Sequence, residues 1–463
     1  SASRARPNIV WVMADDMGWG EVGLFPATSP HGRIATPHLD RFGSEGTVFR
    51  QAYAGYTVCA PSRTTLFTGR HSGHFRSAGL DGTRLPPSKG VGTLAEVLRA
   101  AGYATGAFGK SAPLTSPLDL GFEAFVGQVD QALCHNMYPS KIDIGHGQLN
   151  FDLLGNRGKR SRELCMAHPG QYNYTTDVFH DSAMSWLEDV AGGPRPFFLY
   201  LSFTVPHAGG WEDAPYTTED GAPVPTDLQY EHKAWPDVEK DHAAAITYMD
   251  GKVGDLMRRL DRLGVDNSTL VIFASDNGAH LEGGGHRPEF FNSTGGLRGH
   301  KRSLYEGGVR SPTMARWPGV VPAGRWSDFV WAFWDVLPTL AELSGAPCPP
   351  GLDGRSIAPT LLGEAQAPHE YLFWTWPGWP PAAGLGGAHT PSGYAVRQGR
   401  WKGIVRHCRG LTPSAADSAS MLLYDLHVDP FEALDIAGQH RGKVLELVHL
   451  VMSNNVSCQC YQC

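Results

Sequence analysis

Continuously apolar segments that end at polar residues recur along much of the chain. Residues 8–14 read Asn-Ile-Val-Trp-Val-Met-Ala, which is typical of a parallel strand covered on both faces. Similar segments lie at 103–109, 197–203 and 269–275. Apolar residues at helical spacing predict helices at 93–102 and from about Asp241 to Leu263. This alternation of strands and helices predicts an open α/β sheet.

The pattern changes past about residue 365. Antiparallel strands are predicted at 371–376, 394–397, 401–405 and 422–426, followed by a closing helix at 440–452. A Gly- and Pro-rich loop from 377 to 393 joins the first two strands. We therefore divide the chain into a larger domain, residues 1–364, and a smaller C-terminal subdomain, residues 365–463.

Polar side chains stand where the predicted parallel strands end. They are Asp15 and Asp16, Lys110, His207, and Asp276 with Asn277. Ligands of open α/β sheets bind outside the carboxyl ends of the strands, so these side chains are expected to share one site. Two adjacent carboxylates repel each other unless a cation lies between them. The alternative for Asp15 and Asp16 is a solvated turn, since Gly18 and Gly20 follow.

Composition and charge limit the classes of partner. A chain of 463 residues with 41% apolar residues can bury a substantial core, which excludes disordered and collagen-like classes. The net charge of −7 argues against a nucleic acid or an anionic membrane as partner, so an anionic substrate needs a locally basic pocket. No apolar run reaches the roughly 20 residues of a transmembrane segment.

Cysteines and glycosylation sequons are compatible with an oxidising compartment. Three of the eight cysteines, Cys458, Cys460 and Cys463, crowd the C-terminal tail. A zinc site there lacks neighbouring histidines and a second cluster, which favours disulfides to Cys348, to Cys408 or within the tail. Asn-X-Ser/Thr sequons, compatible with a secreted glycoprotein, occur at Asn173, Asn267, Asn292 and Asn455.

The most specific motif surrounds Cys59. It reads Cys59-Ala-Pro-Ser-Arg63, followed by Leu66, Thr68, Gly69 and Arg70. Pro61 and Ser62 are residues that favour a helix start, which would place Cys59 just before a helix N-terminus. There the helix dipole and Arg63 favour negative charge. For a lone cysteine, a buried structural thiol would be the alternative.

This motif resembles the signature of the type I sulfatases, the arylsulfatase family. The resemblance covers nearly the whole chain and is strongest in residues 7–70 and 269–312. It implies the alkaline-phosphatase-like fold, an α/β domain with a large mixed, mostly parallel sheet sandwiched by helices and a smaller C-terminal antiparallel-sheet subdomain. In that family a formylglycine-generating enzyme oxidises the motif cysteine to formylglycine, whose hydrate is the catalytic nucleophile.

The resemblance also implies a set of site residues. Metal ligands would be Asp15, Asp16, Asp276 and Asn277, joined by residue 59, and such hard oxygen ligands suit calcium, or less readily magnesium. Arg63, Lys110 and Lys301 would clamp the sulfate, although the basic loop at 295–312 would normally be solvated. His207 would protonate the leaving alcohol as general acid.

One position departs from the commonest family pattern. A histidine that assists release of the sulfate stands there in many sulfatases, whereas this chain has Ala112 in the run Gly109-Lys-Ser-Ala-Pro113. Family branches that lack it carry, like this chain, a Gln-x-x-x-His-Asn-x-Tyr-Pro run, here 131–139. His135 is therefore the candidate substitute, and a structural histidine near Cys134 is the alternative.

The substrate is less well defined than the chemistry. Similar branches tend to act on sulfated glycans, which favours carbohydrate sulfate esters, with aryl sulfates as artificial substrates. Trp374, Trp376 and Trp379 would either stack on a sugar ring or, more often for such a pattern, form sheet core. The resemblance favours a secreted or lysosomal enzyme and is compatible with a homo-oligomer. The alternatives are a phosphatase or phosphonate monoester hydrolase of the same superfold, and a non-catalytic sulfoglycan-binding protein.

Overall fold

The computed structural model describes residues 5–25, 28–74, 92–131, 133–145, 149–211, 221–282, 286–376, 393–406 and 420–454. Its helices are α1 Pro37–Ser44, α2 Cys59–Thr68, α3 Leu94–Ala100, α4 Arg162–Ala167, α5 Thr175–Val190, α6 Asp237–Arg262, α7 Pro288–Phe291, α8 Glu306–Val309, α9 Val336–Ser344, α10 Ala358–Leu361 and α11 Arg441–Ser453. Among the described residues, none of these helices is long and apolar enough to cross a membrane.

The strands form two main sheets. They are β1 Asn8–Asp15, β2 Thr47–Phe49, β3 Ala52–Tyr53, β4 Ala104–Lys110, β5 Ala124–Gln128, β6 Lys141–Ile144, β7 Leu149–Asp152, β8 Phe197–Pro206, β9 Thr269–Ser275, β10 Thr313–Arg316, β11 Arg325–Ser327, β12 Trp331–Ala332, β13 Leu372–Trp376, β14 Gly393–Gln398, β15 Trp401–Arg406 and β16 Met421–Asp425. A ten-stranded sheet has the order β11-β2-β10-β9-β1-β8-β4-β5-β6-β7, a four-stranded sheet has the order β13-β14-β15-β16, and β12 pairs with β3 in a two-stranded sheet.

The large sheet is mixed, with a parallel centre. Strands β9, β1, β8, β4 and β5 are parallel, whereas β10, β6 and β7 pair antiparallel with their neighbours. Side chains of β1 alternate between two cores: Val10 and Val12 pack towards α1, α5 and α6, and Trp11 and Met13 towards α2, α3 and α9. The sheet is therefore sandwiched by helices, which confirms the predicted fold class.

The four-stranded antiparallel sheet packs between the large domain and α11. Phe373 and Val405 face Leu447 and Val448 of α11, while Trp374 and Ile404 face the opposite side. Trp374 is fully buried and its indole N–H donates to the carbonyl of Ala54, 2.9 Å away. The smaller antiparallel unit is thus confirmed, while the boundary between residues 364 and 365 stays a prediction.

Candidate active site

The carboxyl ends of β1 and β9 bring four oxygen-bearing side chains together. The backbone of Asp16 has φ 69°, so the chain turns sharply after Asp15. Without this left-handed turn, successive strand side chains would point to opposite faces of the sheet. The amide of Asp16 donates to Asp276 Oδ1 at 3.0 Å, and Asn277 Nδ2 donates to Asp16 Oδ1 at 2.7 Å. Asp15 and Asp16 are both fully buried, so the alternative that they form a solvated turn is wrong.

Cys59 lies beside these carboxylates at the beginning of α2. The sequence placed Cys59 just before the helix, but α2 begins at Cys59 and Val58 is its N-cap residue. Pro61 is compatible with this because the first amides of a helix need no intrahelical acceptor. Ligand atoms of Asp15, Cys59 and Asp276 lie within 4.8 Å of one another.

Three buried cations surround the carboxylates. Arg63, one turn after Cys59, donates from Nε to Asp276 Oδ2 at 2.9 Å, and its Nη2 lies 3.7 Å from Asp15 Oδ2. Lys110 Nζ lies 2.6 Å from Asp15 Oδ2, and Lys301 Nζ lies 2.8 Å from Asp16 Oδ2. The loop at 295–312, which composition predicted to be solvated, therefore carries a buried lysine into the site and includes the short helix α8.

The residue before Lys110 occupies a position that only glycine fits. Gly109 has φ 109°, and a Cβ on it would lie 1.8 Å from the carbonyl oxygen of Ser202 on the neighbouring strand β8. Glycine therefore permits the close strand contact from which Lys110 reaches Asp15.

Burial and charge move the pKa values of the two adjacent aspartates apart. Burial, with repulsion from Asp276 and Asp16, raises the pKa of Asp15 to about 7 against the opposing attraction of Lys110 and Arg63. Burial also acts to raise the pKa of Asp16, but Lys301 and His280 outweigh it and hold that pKa below its usual range. A cation beside Asp15 would favour its ionised form.

The oxygen set fits a hard divalent cation. Asp15 Oδ1 and Asn277 Oδ1 are buried and accept no hydrogen bond from the described residues. Buried polar atoms are normally satisfied, so two such oxygens at one site indicate a missing partner. Carboxylate and amide oxygens are the ligands that calcium and magnesium prefer. The residues present therefore fit the expected ion.

Two histidines lie face to face at the same site. The rings of His135 and His207 have centroids 3.7 Å apart and an interplanar angle of 5°. His207 Nε2 lies 3.0 Å from Lys301 Nζ and 3.3 Å from Asp16 Oδ2. His135 Nε2 lies 2.9 Å from Lys110 Nζ and 4.0 Å from Asp15 Oδ2. Burial holds the pKa of both histidines well below the usual value, and the nearby positive charges of Lys110 and Lys301 lower it further.

Sequence reasoning missed several polar contacts in this site. Glu282 is buried and lies 3.2 Å from Lys301 Nζ and 3.6 Å from His207 Nε2, and it also contacts Arg302. Arg63 is held from β8 by the hydroxyls of Tyr200 and Ser202. Ser202 lies between apolar residues of a buried strand. A polar side chain at such a position needs a hydrogen-bond partner, and this could have pointed to it from the sequence.

Gln131 is a further contact that the sequence did not single out. Its Nε2 donates to Cys59 Sγ at 3.3 Å. Gln131 is the first residue of the run at 131–139 from which His135 was predicted. The run therefore included Gln131, but the sequence suggested no role for it.

A second buried cluster supports the turn that follows Asp16. Glu21 accepts from the amide of Gly18 at 2.6 Å and pairs with His242 of α6 at 2.6 Å. His242 stacks on His286 with centroids 3.6 Å apart and an interplanar angle of 6°. Imidazole lone pairs lie in the ring planes, so one ion cannot lie in both of two parallel planes. We therefore interpret this cluster as a scaffold for the turn.

The remaining predicted residues that the structure describes make none of the site contacts above. Trp374 and Trp376 are core, not free to stack on a sugar, and Trp379 lies outside the described residues. Asn173 and Asn267 are exposed, whereas Asn292 is half-buried and donates to the Thr28 carbonyl at 3.1 Å. Asn455 lies outside the described residues, as do Cys408, Cys458, Cys460 and Cys463. Cys348 is exposed and bonded to no other cysteine of the described residues, so the suggested disulfide to it stays a prediction.

Comparisons with known proteins identify the class. The sulfatase family model matches residues 7–346, and a model described as N-sulphoglucosamine sulphohydrolase, C-terminal, matches residues 298–454. The chain therefore belongs to the sulfatase family and is a sulfuric ester hydrolase, which hydrolyses sulfate esters.

Individual relatives agree with this class. The chain is 31% identical to arylsulfatase A of Homo sapiens over 475 residues, covering 96% of this chain and 85% of the relative. It is 29% identical to N-acetylgalactosamine-6-sulfatase of Canis lupus familiaris, covering 77% of this chain and 66% of the relative.

Solved structures share the fold. The crystal structure of Ps i-CgsB in complex with k-i-k-neocarrahexaose is similar at TM-score 0.73 and 23% identity, covering 97% of this chain and 93% of that one. A phosphonate monoester hydrolase of Agrobacterium radiobacter is similar at TM-score 0.63 and 20% identity, covering 98% and 96%. The fold alone therefore does not separate sulfate from phosphonate ester hydrolysis.

Proposed function

We propose that this sulfatase hydrolyses sulfate esters of a carbohydrate with a formylglycine at position 59 and a bound calcium ion. The observation that carries the proposal is the position of Cys59. Its Sγ lies with carboxylate oxygens of Asp15 and Asp276 inside a 4.8 Å cluster, next to the guanidinium of Arg63. A structural thiol would have no need of buried charges around it, since each costs free energy to desolvate.

Calcium would be held by Asp15, Asp16, Asp276 and Asn277, with an oxygen of the converted residue 59. When bound, the ion supplies Lewis-acid polarisation of a sulfate oxygen and favours an ionised nucleophile. The three buried aspartates cancel the formal charges of Arg63, Lys110 and Lys301, and the buried Glu282 is paired with Arg302. A divalent ion therefore leaves the site positive, which favours an anionic sulfate.

Arg63, Lys110 and Lys301 would orient the sulfate by charge-assisted hydrogen bonds. His207 would give its proton to the leaving alcohol oxygen. In the free protein, burial and then the lysines keep the pKa of His207 low. A bound sulfate brings negative charge next to the ring, which raises that pKa and favours the protonated form that a general acid requires.

His135 would take the role of the family histidine whose position Ala112 occupies. It would accept a proton from the converted residue 59. Its support is the stacked position on His207 and the 2.9 Å contact with Lys110. His135→Ala should lower turnover, and His232→Ala at an exposed histidine serves as the matched control. Unchanged turnover of His135→Ala would exclude this role.

The carbohydrate part of the proposal rests on relatives. One is named N-acetylgalactosamine-6-sulfatase, and one structural neighbour was solved with a neocarrahexaose. Aryl sulfates would serve as artificial substrates. Maturation would require a formylglycine-generating enzyme, and the sequons together with the tail cysteines favour a secreted or lysosomal location.

The first test is the mass of the tryptic peptide from Gln51 to Arg63, isolated from protein co-expressed with the generating enzyme. Replacement of the thiol by an aldehyde supports the proposal, and an unmodified cysteine under these conditions contradicts it. The same preparation is then assayed with nitrophenyl sulfate and nitrophenyl phosphate. Preferred hydrolysis of the phosphate would favour the phosphatase alternative, and binding of sulfated sugar without release of sulfate would favour a binding protein.

A further inference from the structure

We propose that the carboxamide of Gln131 holds the converted side chain of residue 59 in its reactive orientation; this inference rests on the proposed function. Gln131 Nε2 donates to Cys59 Sγ at 3.3 Å. Its Oε1 is buried and has no hydrogen-bond partner among the described residues. A buried amide oxygen without a partner, on a side chain that already reaches residue 59, indicates a second hydrogen bond that the thiol does not supply.

The chemistry of the converted residue supplies the missing partner. The Sγ atom of Cys59 stands where an oxygen of the aldehyde hydrate would be, and a hydrate carries two hydroxyl groups that donate as well as accept. Arg63 and Lys110 only donate hydrogen bonds, and ionised aspartates only accept them. A carboxamide does both. Gln131 can therefore accept from one hydroxyl and donate to an oxygen of the same hydrate.

A carboxamide does not titrate near neutral pH, which separates the role of Gln131 from that of His135. Gln131 would select the orientation of the hydroxyl groups, whereas a proton must still move to a base. At position 112 the methyl group of Ala112 is buried and cannot form a hydrogen bond. The segment that follows β5 thus supplies a polar contact to residue 59 that Ala112 cannot make.

The backbone around Gln131 is held independently of its side chain. Its carbonyl accepts from Cys134 Sγ at 3.1 Å, and Asp130 Oδ1 accepts from the amide of Leu133 at 2.9 Å. Gln128 Nε2 donates to the Leu133 carbonyl at 3.0 Å. Replacement of the Gln131 side chain leaves these bonds in place, so its effect can be separated from displacement of the segment.

The test compares Gln131→Met, which keeps the side-chain length and removes both hydrogen bonds, with Gln131→Glu, which keeps an acceptor oxygen. Gln128→Met is the matched control, because it removes a carboxamide of the same segment that does not contact Cys59. Each protein is co-expressed with the generating enzyme, and its formylglycine fraction is measured on the peptide from Gln51 to Arg63. Turnover of nitrophenyl sulfate is expressed per converted site. A second readout is the rate at which an aminooxy probe labels the aldehyde without substrate.

Gln131→Met should lower kcat about tenfold with KM changed by less than about twofold, because a hydrogen bond to the reacting group is lost while sulfate contacts remain. Labelling should be faster, since the hydrate loses a stabilising partner. Gln131→Glu should label more slowly than Gln131→Met, because it keeps an acceptor for a hydrate hydroxyl. Gln128→Met, which removes one bond to the Leu133 carbonyl and no contact with Cys59, should change labelling less than Gln131→Met does.

Wild-type kcat and labelling in Gln131→Met would overturn the inference while the proposed function stands. Equal losses in Gln131→Met and Gln128→Met would also overturn it, because displacement of the segment would then explain both. A wild-type protein without aldehyde or sulfate hydrolysis would overturn the proposed function and this inference with it.

Discussion

Lys402 offers the sharpest test of how the C-terminal sheet is attached to the active-site loop. Its Nζ lies 2.9 Å from Glu306 Oε1 and 3.0 Å from Glu432 Oε1, and all three side chains are fully buried. Glu306 begins α8, five residues after Lys301, and its amide donates to Glu432 Oε2 at 2.6 Å. Lys402→Met removes the ammonium and leaves two carboxylates close together without water.

The magnitude follows from these distances. Each contact is worth about 5 to 6 kcal/mol at an effective dielectric constant of about 20. Desolvation of the ammonium, several kcal/mol, offsets part of this sum. Glu306 keeps the guanidinium of Arg310 at 2.8 Å and the hydroxyl of Tyr53 at 2.7 Å. We therefore expect Lys402→Met to lower the free energy of unfolding by about 3 to 5 kcal/mol near pH 8, as for other broken buried pairs.

The loss should depend on pH, because Glu432 can take up a proton. Burial already raises the pKa of Glu432 to about 7 against the attraction of Lys402, and removal of the lysine raises it further. A carboxyl group whose pKa is raised in the folded state destabilises that state progressively as pH rises from the unfolded value to the folded one. The variant should therefore be less destabilised at pH 6 than at pH 8.

Urea unfolding followed by tryptophan fluorescence at both pH values measures this difference, and nitrophenyl sulfate turnover in the absence of urea reports on the Lys301 loop. The double variant Lys402→Met/Glu432→Gln is the control, since it removes the orphaned charge and should recover much of the lost stability. A loss below about 1 kcal/mol that is equal at both pH values would refute the reasoning, because the ammonium would then not neutralise buried carboxylates.

Three further perturbations test other parts of the structure. Chelation of divalent ions should lower Tm, and added calcium should restore it. Asn277→Ala should require about tenfold more calcium for the same Tm, because one ligand is lost. An unchanged calcium requirement would contradict this assignment. Trp374→Ala should cost about 3 to 5 kcal/mol in urea unfolding, because the fully buried indole packs against the rings of Tyr53 and Trp334; a loss below about 1 kcal/mol would contradict that packing. Burial, partly opposed by Asp353, lowers the pKa of His71 to about 4. As pH falls from about 6.5 towards 4, the His71 imidazole therefore takes up a proton only in the unfolded chain. The free energy of unfolding should fall over this range by up to about 3 kcal/mol. His71→Gln should lose less stability than wild type between pH 7 and 4.5, and equal losses would exclude the effect.

The sequence could predict features that depend on local pattern. The predicted strand at 269–275 coincides with β9, and the predicted strand at 8–14 differs from β1 by one residue, because buried parallel strands are continuously apolar and stop where polar side chains begin. The strand ends also named most of the side chains that meet in the structure. Local pattern was a poorer guide to the start of α2, where Pro61 suggested a later first residue than Cys59.

Contacts between distant segments required the tertiary structure. Lys301 and Asp16 are 285 residues apart, and Gln131 and Cys59 are 72 apart, so no periodicity within one element relates them. The order of strands in the sheet decides which strand ends become neighbours, and composition does not encode that order locally. The same holds for burial: composition favours a solvated loop at 295–312, yet its Lys301, Glu306 and Arg310 are buried, and Glu306 pairs with Lys402 of the C-terminal sheet. The sequence by itself determined the elements and the chemical groups at their ends, whereas the packing of these elements decided which groups share a site and which charges lose contact with water.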